Sequence, residues 1–355
     1  MQSKALANQS EVTIGLDIGN RFTEICAIDA SGTVIDRDRV RTTLESLKQR
    51  LTTSDPARVA LEAGGDSPWI SRLLRDLGHE VIVANAGAVA LIHRSDRKTD
   101  RSDAEKLARL ARVDPQLLRP IQHRSEETQG HLAIARARDQ LVSVRTALIN
   151  HVRGTCKSLG ERPPMCSAEA FATKALRSIP KLLRLALRPL MAQIMYVNKA
   201  IAQYDRQIER LSKERYPATQ VLRQVRGVGP VTAYCYVLTI EEPSRFARSR
   251  QVGAYLGLTP RKRASGDSDP KLSITKAGDP MLRKLLVNAA QYMLSRNGTD
   301  CDLRRFGQRI CEAGGKTAKK RAVVALARKT AVLLHRLWVN GAVYEPLRNS
   351  HPANV

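Results

Sequence analysis

The sequence predicts a mixed α/β domain at the N-terminus, then long paired helices, then a mainly helical C-terminal region. Short apolar strands alternate with amphipathic helices in the first part of the chain. Apolar residues then recur every seven positions, and helical patterns separated by Gly and Pro turns fill the remainder. With 355 residues, the chain is long enough for several cores, and we expect three regions: 1–115, 116–215 and 216–355.

The first region reads as three strands followed by alternating helices and strands. "VTIGLDIGN" is a buried-strand pattern that stops at Asp17, and "TEICAIDASGTVIDRDRV" predicts two strands around a Ser31-Gly32 turn. "TLESLKQRL" and "SPWISRLLRDLG" predict helices on either side of the strand "ARVALEAGG", which carries Glu62. "HEVIVAN" predicts a fifth strand, "AGAVALIH" a short helix, and residues 97–110 the last helix. The order β-β-β-α-β-α-β-α is that of the ribonuclease-H-like fold.

Four carboxylates fall where such a fold places its reactive groups. Active residues of open sheets lie at strand ends and on the adjoining helix, so we expect Asp17, Glu62, Asp100 and Asp103 to converge. The two aspartates on the helix repel each other unless a cation offsets their charge, although acids also suit a first helical turn. Mg²⁺ or Mn²⁺ fits such oxygen ligands, and two ions about 4 Å apart can flank a phosphodiester.

The middle region carries a heptad pattern. One stretch repeats Ile134, Leu141 and Leu148, and a second contains two series. These series are Leu187, Ile194, Ile201, Ile208 and Leu190, Val197, Tyr204, Leu211. The pattern predicts coiled-coil helices, interrupted by the turn "GERPPMCSAEAF", and leaves open whether they pack on each other or on another subunit.

Charge divides the chain unequally. The net charge is +25, yet residues 1–104 hold 14 basic and 15 acidic residues, whereas the remainder holds 45 and 19. A near-neutral domain joined to a strongly cationic one predicts catalysis combined with nucleic-acid binding. No apolar run fits a membrane span or a secretory signal, so we expect a cytoplasmic protein that does not engage membranes. Six scattered cysteines argue against zinc or disulfide frameworks.

The C-terminal region offers phosphate-binding candidates. "LRQVRGVGPVTAYCYVLTI" is typical of a helix-hairpin-helix, whose glycines let backbone N–H groups approach a phosphate, although a tight helix-helix turn explains it equally. We expect nucleic-acid contacts from this turn and from cations of the following loops and helices. They are Arg226, Gly227, Gly229, Arg261, Lys262, Arg263, Lys276, Arg283, Lys284, Lys316, Lys319, Lys320 and Arg321.

A serine in a cationic loop is a candidate nucleophile. Ser265 stands beside Gly266 directly after the run Arg261-Lys262-Arg263, where nearby cations could hold the charge that develops on a phosphodiester. Ser-Gly is also ordinary loop chemistry. Spacing alone does not choose between Ser265, Ser268 and Ser273.

The motifs together resemble a known family. "LDIGN…LEAGG…KTDRSDA" and "VRGVGP…FARSRQVGAYLGLTPRKRASG…ITKAGDPMLRKLLVNAA" are similar to the DEDD transposases of the insertion-sequence one-ten family, over nearly the whole chain. The resemblance implies a RuvC-like domain, a coiled coil and a serine-bearing transposase domain, in that order. It also implies that Asp17, Glu62, Asp100 and Asp103 are the four acidic residues and that Ser265 is the nucleophile.

The same resemblance implies partners. Target and donor DNA would be selected by a structured guide RNA, the bridge RNA, and strands would be exchanged through phosphoserine linkages. The site would combine two subunits, in a dimer that assembles to a tetramer, with the protein on the nucleoid when active. A low aromatic content of 4% and the lack of a clear helix-turn-helix reader suit a protein that grips backbones and leaves base reading to RNA.

Three other functions compete with this interpretation. A RuvC-like structure-selective nuclease would need no serine. A non-enzymatic RNA-binding scaffold would need none of the acids. An actin-like or sugar-kinase ATPase shares the Asp-tipped first strand, "GLDIGNRFTEICAIDASGTVI", but needs a second phosphate loop, which the sequence lacks.

Overall fold

The computed structural model describes residues 12–52, 55–87, 100–263 and 272–348, without the side chains of Asp100, Arg101 and Lys316. Contacts divide the chain into two compact units, Met1–Arg124 and Ser125–Val355. The second unit therefore holds the predicted C-terminal region and all of the predicted linker region except residues 116–124. Their division at residue 215 stays a prediction.

The first unit is built on a five-stranded mixed sheet. Its strands are β1 (Thr13–Ile18), β2 (Phe22–Ile28), β3 (Val34–Arg41), β4 (Arg58–Glu62) and β5 (Glu80–Ala84). They lie in the order β3-β2-β1-β4-β5. The first three strands are antiparallel, whereas β1, β4 and β5 are parallel. The predicted order along the chain, three strands followed by two that alternate with helices, is confirmed.

Helices cover both faces of this sheet. They are α1 (Leu44–Leu51), α2 (Ser67–Asp76) and α3 (Asp100–Val113). Thr43 caps α1. Pro68 is the second residue of α2 and Gly78 follows its C-cap Leu77, so the predicted start and stop of this helix are confirmed. A short 3-10 helix, Pro115–Leu118, follows α3. Most of the predicted helix "AGAVALIH" lies outside the described residues.

Strand alternation gives each sheet face its own core. Leu16 and Leu61 face α1 and α2 in one apolar cluster. Cys26 and Ile28 pack with Ala104 and Ala108 of α3 in another cluster on the opposite face. Because side chains alternate between faces along a strand, each residue of β1 and β4 can be assigned to one face or the other.

A backbone contact seats α3 on the sheet. A Cβ atom at Gly15 of β1 would lie 1.9 Å from the carbonyl oxygen of Ala104 and 2.7 Å from the backbone nitrogen of Ala108. Only a residue without a side chain lets the helix approach the strand this closely. Gly15 therefore fixes the height of α3 above β1.

The second unit is helical. Its helices are α4 (Glu126–Lys157), α5 (Ala168–Ala175), α6 (Arg184–Glu214), α7 (Ala218–Leu222), α8 (Pro230–Ile240), α9 (Arg250–Tyr255), α10 (Pro280–Leu294), α11 (Asp302–Cys311) and α12 (Gly315–Asn340). Short 3-10 turns cover Leu176–Ser178, Lys181–Leu183 and Pro243–Arg245. No helix within the described ranges combines the length and apolarity that a membrane crossing requires.

The two long helices α4 and α6 pack on each other. The predicted series Leu187, Ile194, Ile201 and Ile208 on α6 is buried. On α4 the predicted series Ile134, Leu141 and Leu148 is only half-buried. The buried apolar residues of α4 lie at other positions of the helix: Leu132, Ala135, Ile149, Val152 and Cys156. A supercoiled geometry for the pair stays a prediction.

Helix α8 forms the centre of the larger core. Every residue from Thr232 to Ile240 is buried, and the helix contacts α4, α6, α7 and α10. The Tyr236 hydroxyl donates a 2.6 Å hydrogen bond to the carbonyl of Ala331 on α12, which satisfies its polar group inside this core. A helix that is apolar all round in this way needs neighbours on every side.

We expect Gly15→Ala to destabilise the first unit by about 1–3 kcal/mol, because the new methyl group must push α3 away from β1. Urea unfolding monitored by circular dichroism measures the change. Gly64→Ala is the matched control, since a Cβ there meets no atom within 4 Å. Equal stability of the two variants would contradict the role given to Gly15.

Candidate functional site

Two of the predicted acids end adjacent parallel strands. Leu16 of β1 pairs in register with Leu61 of β4, and Asp17 and Glu62 are the next residues along each strand. Neighbouring strands lie about 4.8 Å apart. Both acids stand two residues beyond positions that face α3, Gly15 and Ala60, so both belong to the α3 face.

The helix on that face brings a third acid. Asp103 directly precedes Ala104, the residue whose carbonyl lies against Gly15. Asp100 begins the same helix, but its side chain lies outside the described residues. The structure thus places Asp17, Glu62 and Asp103 on one side of the sheet, and the convergence of these acids with Asp100 at one metal site stays a prediction.

Ion pairs hold α3 to the antiparallel strands. Glu105 forms ion pairs with Arg37 of β3 and, one turn along the helix, with Arg109. The Arg37 guanidinium, and then that of Arg109, holds the pKa of the Glu105 carboxyl below its ordinary value. Arg109 and Arg112 also donate to the carbonyls of Gly32 and Ala30 in the β2–β3 turn. The helix that carries Asp103 therefore has defined rotation as well as defined height.

Asp103 has a counter-charge within its own helix. Lys106 Nζ lies 2.9 Å from Asp103 Oδ1, and Ser102 Oγ donates to the same oxygen at 3.3 Å. The Asp-x-x-Lys spacing that produces this pair is visible in "DAEK". The sequence reasoning assigned the offsetting charge to metal alone and overlooked the lysine.

A further acid, Glu24, stands beside Asp17. The two residues pair across β1 and β2, and Glu24 is only 9% exposed. Arg39 Nε lies 3.1 Å from its carboxylate, and the same guanidinium covers the ring of Phe22 at 4.5 Å. Its alternation with Cys26 and Ile28 in "FTEICAI" could have placed it on this face.

The donor set suits a hard divalent cation, because every candidate ligand is a carboxylate oxygen. Among the described side chains, no three His, Cys, Asp or Glu residues lie close enough together to hold a metal ion by themselves. Asp100 is not included in this count, because its side chain lies outside the described residues. Mg²⁺ commonly takes only one or two protein carboxylates and completes its shell with water and substrate phosphate. The chemistry of this face fits such an ion.

The candidate serines lie in the predicted loop between Arg261 and Thr275 of the second unit. Ser265 and Ser268 lie outside the described residues, whereas Ser273 lies inside them. A short antiparallel ladder closes the base of the loop: Arg261 N–H donates to the Ser273 carbonyl, and Thr275 N–H to the Thr259 carbonyl, both at 2.9 Å. Pro260 and Ile274 pair between these bonds.

The predicted phosphate-binding turn has a structural role at one of its glycines. Gly227 has φ of +90°, and a Cβ there would lie 3.1 Å from the carbonyl oxygen of Ala289 on α10. That close approach is to the protein's own backbone. Gly229 caps α8 with open space around it, and Arg226 is exposed, so both stay candidates for nucleic-acid contact.

The predicted cations fall into two groups. Arg283 donates to the carbonyls of Leu256 and Ala277, and Lys284 pairs with Asp139 of α4, so both make contacts within the protein. Lys276 is exposed with φ of +58°. The side chain of Lys316 lies outside the described residues. The other predicted cations are exposed: Arg261, Lys262, Arg263, Lys319, Lys320 and Arg321.

The fold and this acidic face define a class. A mixed sheet with carboxylates at the ends of adjacent parallel strands, covered by a helix that adds another, is consistent with a RuvC-like DEDD domain. Residues 14–159 match the family model of the IS110 DEDD transposases, and residues 219–303 match the model described as the transposase IS116/IS110/IS902 family. The chain belongs to this transposase family.

Relatives extend the match to almost the whole chain. The transposase for insertion sequence element IS1111A of Coxiella burnetii is 30% identical over 349 residues, which is 93% of this chain and 90% of the relative. A probable family 20 transposase of Pseudomonas aeruginosa is 29% identical, over 94% of this chain and 98% of the relative. The transposase for element IS1328 of Yersinia enterocolitica is 28% identical, with coverage of 80% and 84%.

Proposed function

We propose that this protein is an RNA-guided DNA transposase that excises and inserts its own mobile element by metal-dependent strand exchange. One observation carries the proposal. Asp17 and Glu62 end adjacent parallel strands on the sheet face to which α3 brings Asp103. Three carboxylates on one sheet face, one of them beside Lys106, offer oxygen ligands for a divalent cation and a positive charge for a phosphate.

Asp17, Glu62, Asp103 and Asp100 would hold Mg²⁺ or Mn²⁺. When bound, the ion would activate the attacking oxygen and stabilise the leaving oxygen of a phosphodiester. The sheet fixes the first two acids, and the Gly15 contact together with the Glu105 ion pairs fixes the third. Lys106 balances Asp103 and keeps a positive charge beside the place proposed for the phosphate.

Ser265 would attack the phosphodiester. Its Oγ–P bond forms, the P–O bond to the departing strand breaks, and the serine proton ends on the departing hydroxyl. Family membership and the neighbouring run Arg261-Lys262-Arg263 support this role. Because serine and acids belong to different units of the chain, the composite site of two subunits stays part of the proposal.

A guide RNA would select the DNA. The cationic second unit, the low aromatic content and family membership support a protein that holds nucleic-acid backbones while base pairing reads sequence. Two subunits, each supplying one acidic face and one serine, would suffice for one exchange. A tetramer would serve both donor and target.

We expect Asp17→Asn and Glu62→Gln each to reduce strand exchange at least about a hundredfold, because each removes an anionic metal ligand. A plasmid excision assay with increasing Mg²⁺ or Mn²⁺ measures the loss. Asp76→Asn, an exposed acid at the end of α2 that is no candidate ligand, is the matched control. Full activity in the two ligand variants would favour a non-enzymatic scaffold.

We expect Ser265→Ala to abolish strand exchange and any covalent protein–DNA adduct, because no other hydroxyl takes its place. Denaturing gels of reactions with end-labelled DNA reveal the adduct. Ser268→Ala and Ser273→Ala, in the same loop, are the controls and should retain activity. Cleavage that persists without Ser265 would instead identify a nuclease of the RuvC type.

We expect RNA that copurifies with the protein to map beside its own gene. Nuclease treatment should remove site-specific exchange, and adding back that RNA should restore it, whereas a shuffled RNA of equal length should not. Sequencing of the bound RNA and the excision assay provide the two measurements. Unimpaired exchange after complete RNA removal would exclude guidance.

A further inference from the structure

A groove of about 1100 Å³ opens in the second unit beside the base of the serine-bearing loop. Its volume is at the upper end of the roughly 300–1,000 Å³ typical of small-molecule sites, so it has room for a short stretch of polymer. One wall comes from the chain around the ladder and the other from α11 and α12. Its floor is apolar: Leu258, Pro260 and Ile274 on the first wall, and Phe306, Val324 and Val332 on the second.

The rim of this groove is cationic. Arg250, Arg261 and Lys262 line the first side, and none of the described lining residues is acidic. The second side is supplied by α12 alone. It contributes Lys320, Arg321, Arg328, Lys329 and Arg336.

Charge and apolar surface alternate along the groove face of α12. Arg321, Arg328 and Arg336 stand two helical turns apart, which is roughly 10–12 Å along the axis. Val324 and Val332 fill the intervals between them. A face of this kind presents cations at regular steps above a continuous apolar strip.

These rim cations differ from others in the same unit. Arg136, Arg138 and Arg223 form ion pairs with Asp279, Asp205 and Glu209. Within the described part of the chain, none of the eight rim cations forms an ion pair, and Lys329 instead lies 4.1 Å from the ring centroid of Phe306. Like charges that lack acidic partners repel one another, and a bound polyanion would relieve that repulsion.

The apolar floor decides which polyanion fits. A duplex keeps its bases stacked inside and offers only phosphates to a flat contact, so the floor would stay wet. An unpaired strand offers phosphates to the rim and base faces to the floor, where stacking on side chains contributes affinity without sequence preference. An acidic peptide would match the rim, but carboxylate side chains gain nothing from the floor.

We propose that this groove binds an unpaired stretch of DNA and leads it to the serine-bearing loop. The choice of DNA rests on the proposed function, because the lining residues Lys262 and Leu272 stand on either side of Ser265 along the chain. The groove would thus hold the strand that is cut or exchanged once it has left its duplex.

Binding assays test the proposal without requiring catalysis. Fluorescence anisotropy in EDTA, on the full-length Ser265→Ala protein, compares four probes: a single-stranded DNA of about 12 nucleotides, its duplex, the same strand as RNA, and polyglutamate. We expect the groove variants described next to lose at least about fivefold more affinity for the single-stranded DNA than for each of the other three probes. An equal or larger loss for the duplex, the RNA or polyglutamate would overturn the proposal.

Two sets of variants locate the site. Arg321→Gln with Arg336→Gln should weaken binding of the single strand about tenfold or more and lower its salt dependence, because two phosphate contacts are lost. Val324→Asn should weaken it several-fold with the salt dependence unchanged, since it alters only the floor. The controls are Arg305→Gln, paired with Asp300 outside the groove, and Val339→Asn, exposed on α12 outside it. Variants that match their controls would place the strand elsewhere.

Photo-crosslinking of the unsubstituted protein tests the same site without any variant, so it remains informative if a variant misfolds. A DNA strand that carries 4-thiothymine should form adducts on the peptide that contains Phe306, and adducts only outside residues 250–336 would refute the site. A groove that fails these tests while Asp17→Asn and Ser265→Ala still abolish exchange would leave the proposed function intact. Normal binding to the groove without any exchange activity would leave the groove intact and contradict the proposed function.

Discussion

The contact between Gly15 and the backbone of Ala104 is the constraint on which the acidic face depends. Helix α3 can carry Asp103 toward Asp17 and Glu62 only because β1 has no side chain where the two backbones meet. The ion pairs of Glu105 and the bonds from Arg109 and Arg112 to the β2–β3 turn then fix the helix in rotation. Close packing against β1 thus sets the position of α3, and ion pairs and hydrogen bonds at its surface set its orientation.

The two units divide the charge in a way that matches their tasks. Acids and bases are nearly balanced in the first unit, where the candidate catalytic carboxylates lie. The excess of cations belongs to the second unit, where many of them pair with acids between helices. The rim of the groove differs, because its cations form no ion pair with any acid that the structure describes. Such a concentration of positive charge is a stronger sign of a polyanion partner than net charge alone.

The sequence predicted the order of strands along the chain, because alternation within strands is a local pattern. It proposed Asp17, Glu62, Asp100 and Asp103 as one site because carboxylates at the ends of strands and on the adjoining helix can converge. It missed Glu24, whose position depends on the register between β1 and β2, and Lys106, which a search for metal ligands overlooked. The buried residues of α4 differ from the predicted heptad series because that helix contacts α5 and α8 as well as α6. Its burial therefore depends on more than one packing surface. The groove is lined by residues as distant in sequence as Leu258 and Val332, and a local sequence pattern cannot predict which distant segments lie side by side.

The row of arginines on α12 and the exposed ion pairs respond to ionic strength in opposite directions. At about 0.01 M salt the screening length is roughly 30 Å, so Arg321, Arg328 and Arg336 repel one another across the whole helix face. Added electrolyte screens this repulsion. The same electrolyte weakens exposed ion pairs in both units, such as Arg109 with Glu105 in the first and Arg215 with Glu127 in the second. A buffer that relieves the repulsion along α12 therefore weakens the attractions elsewhere on the surface.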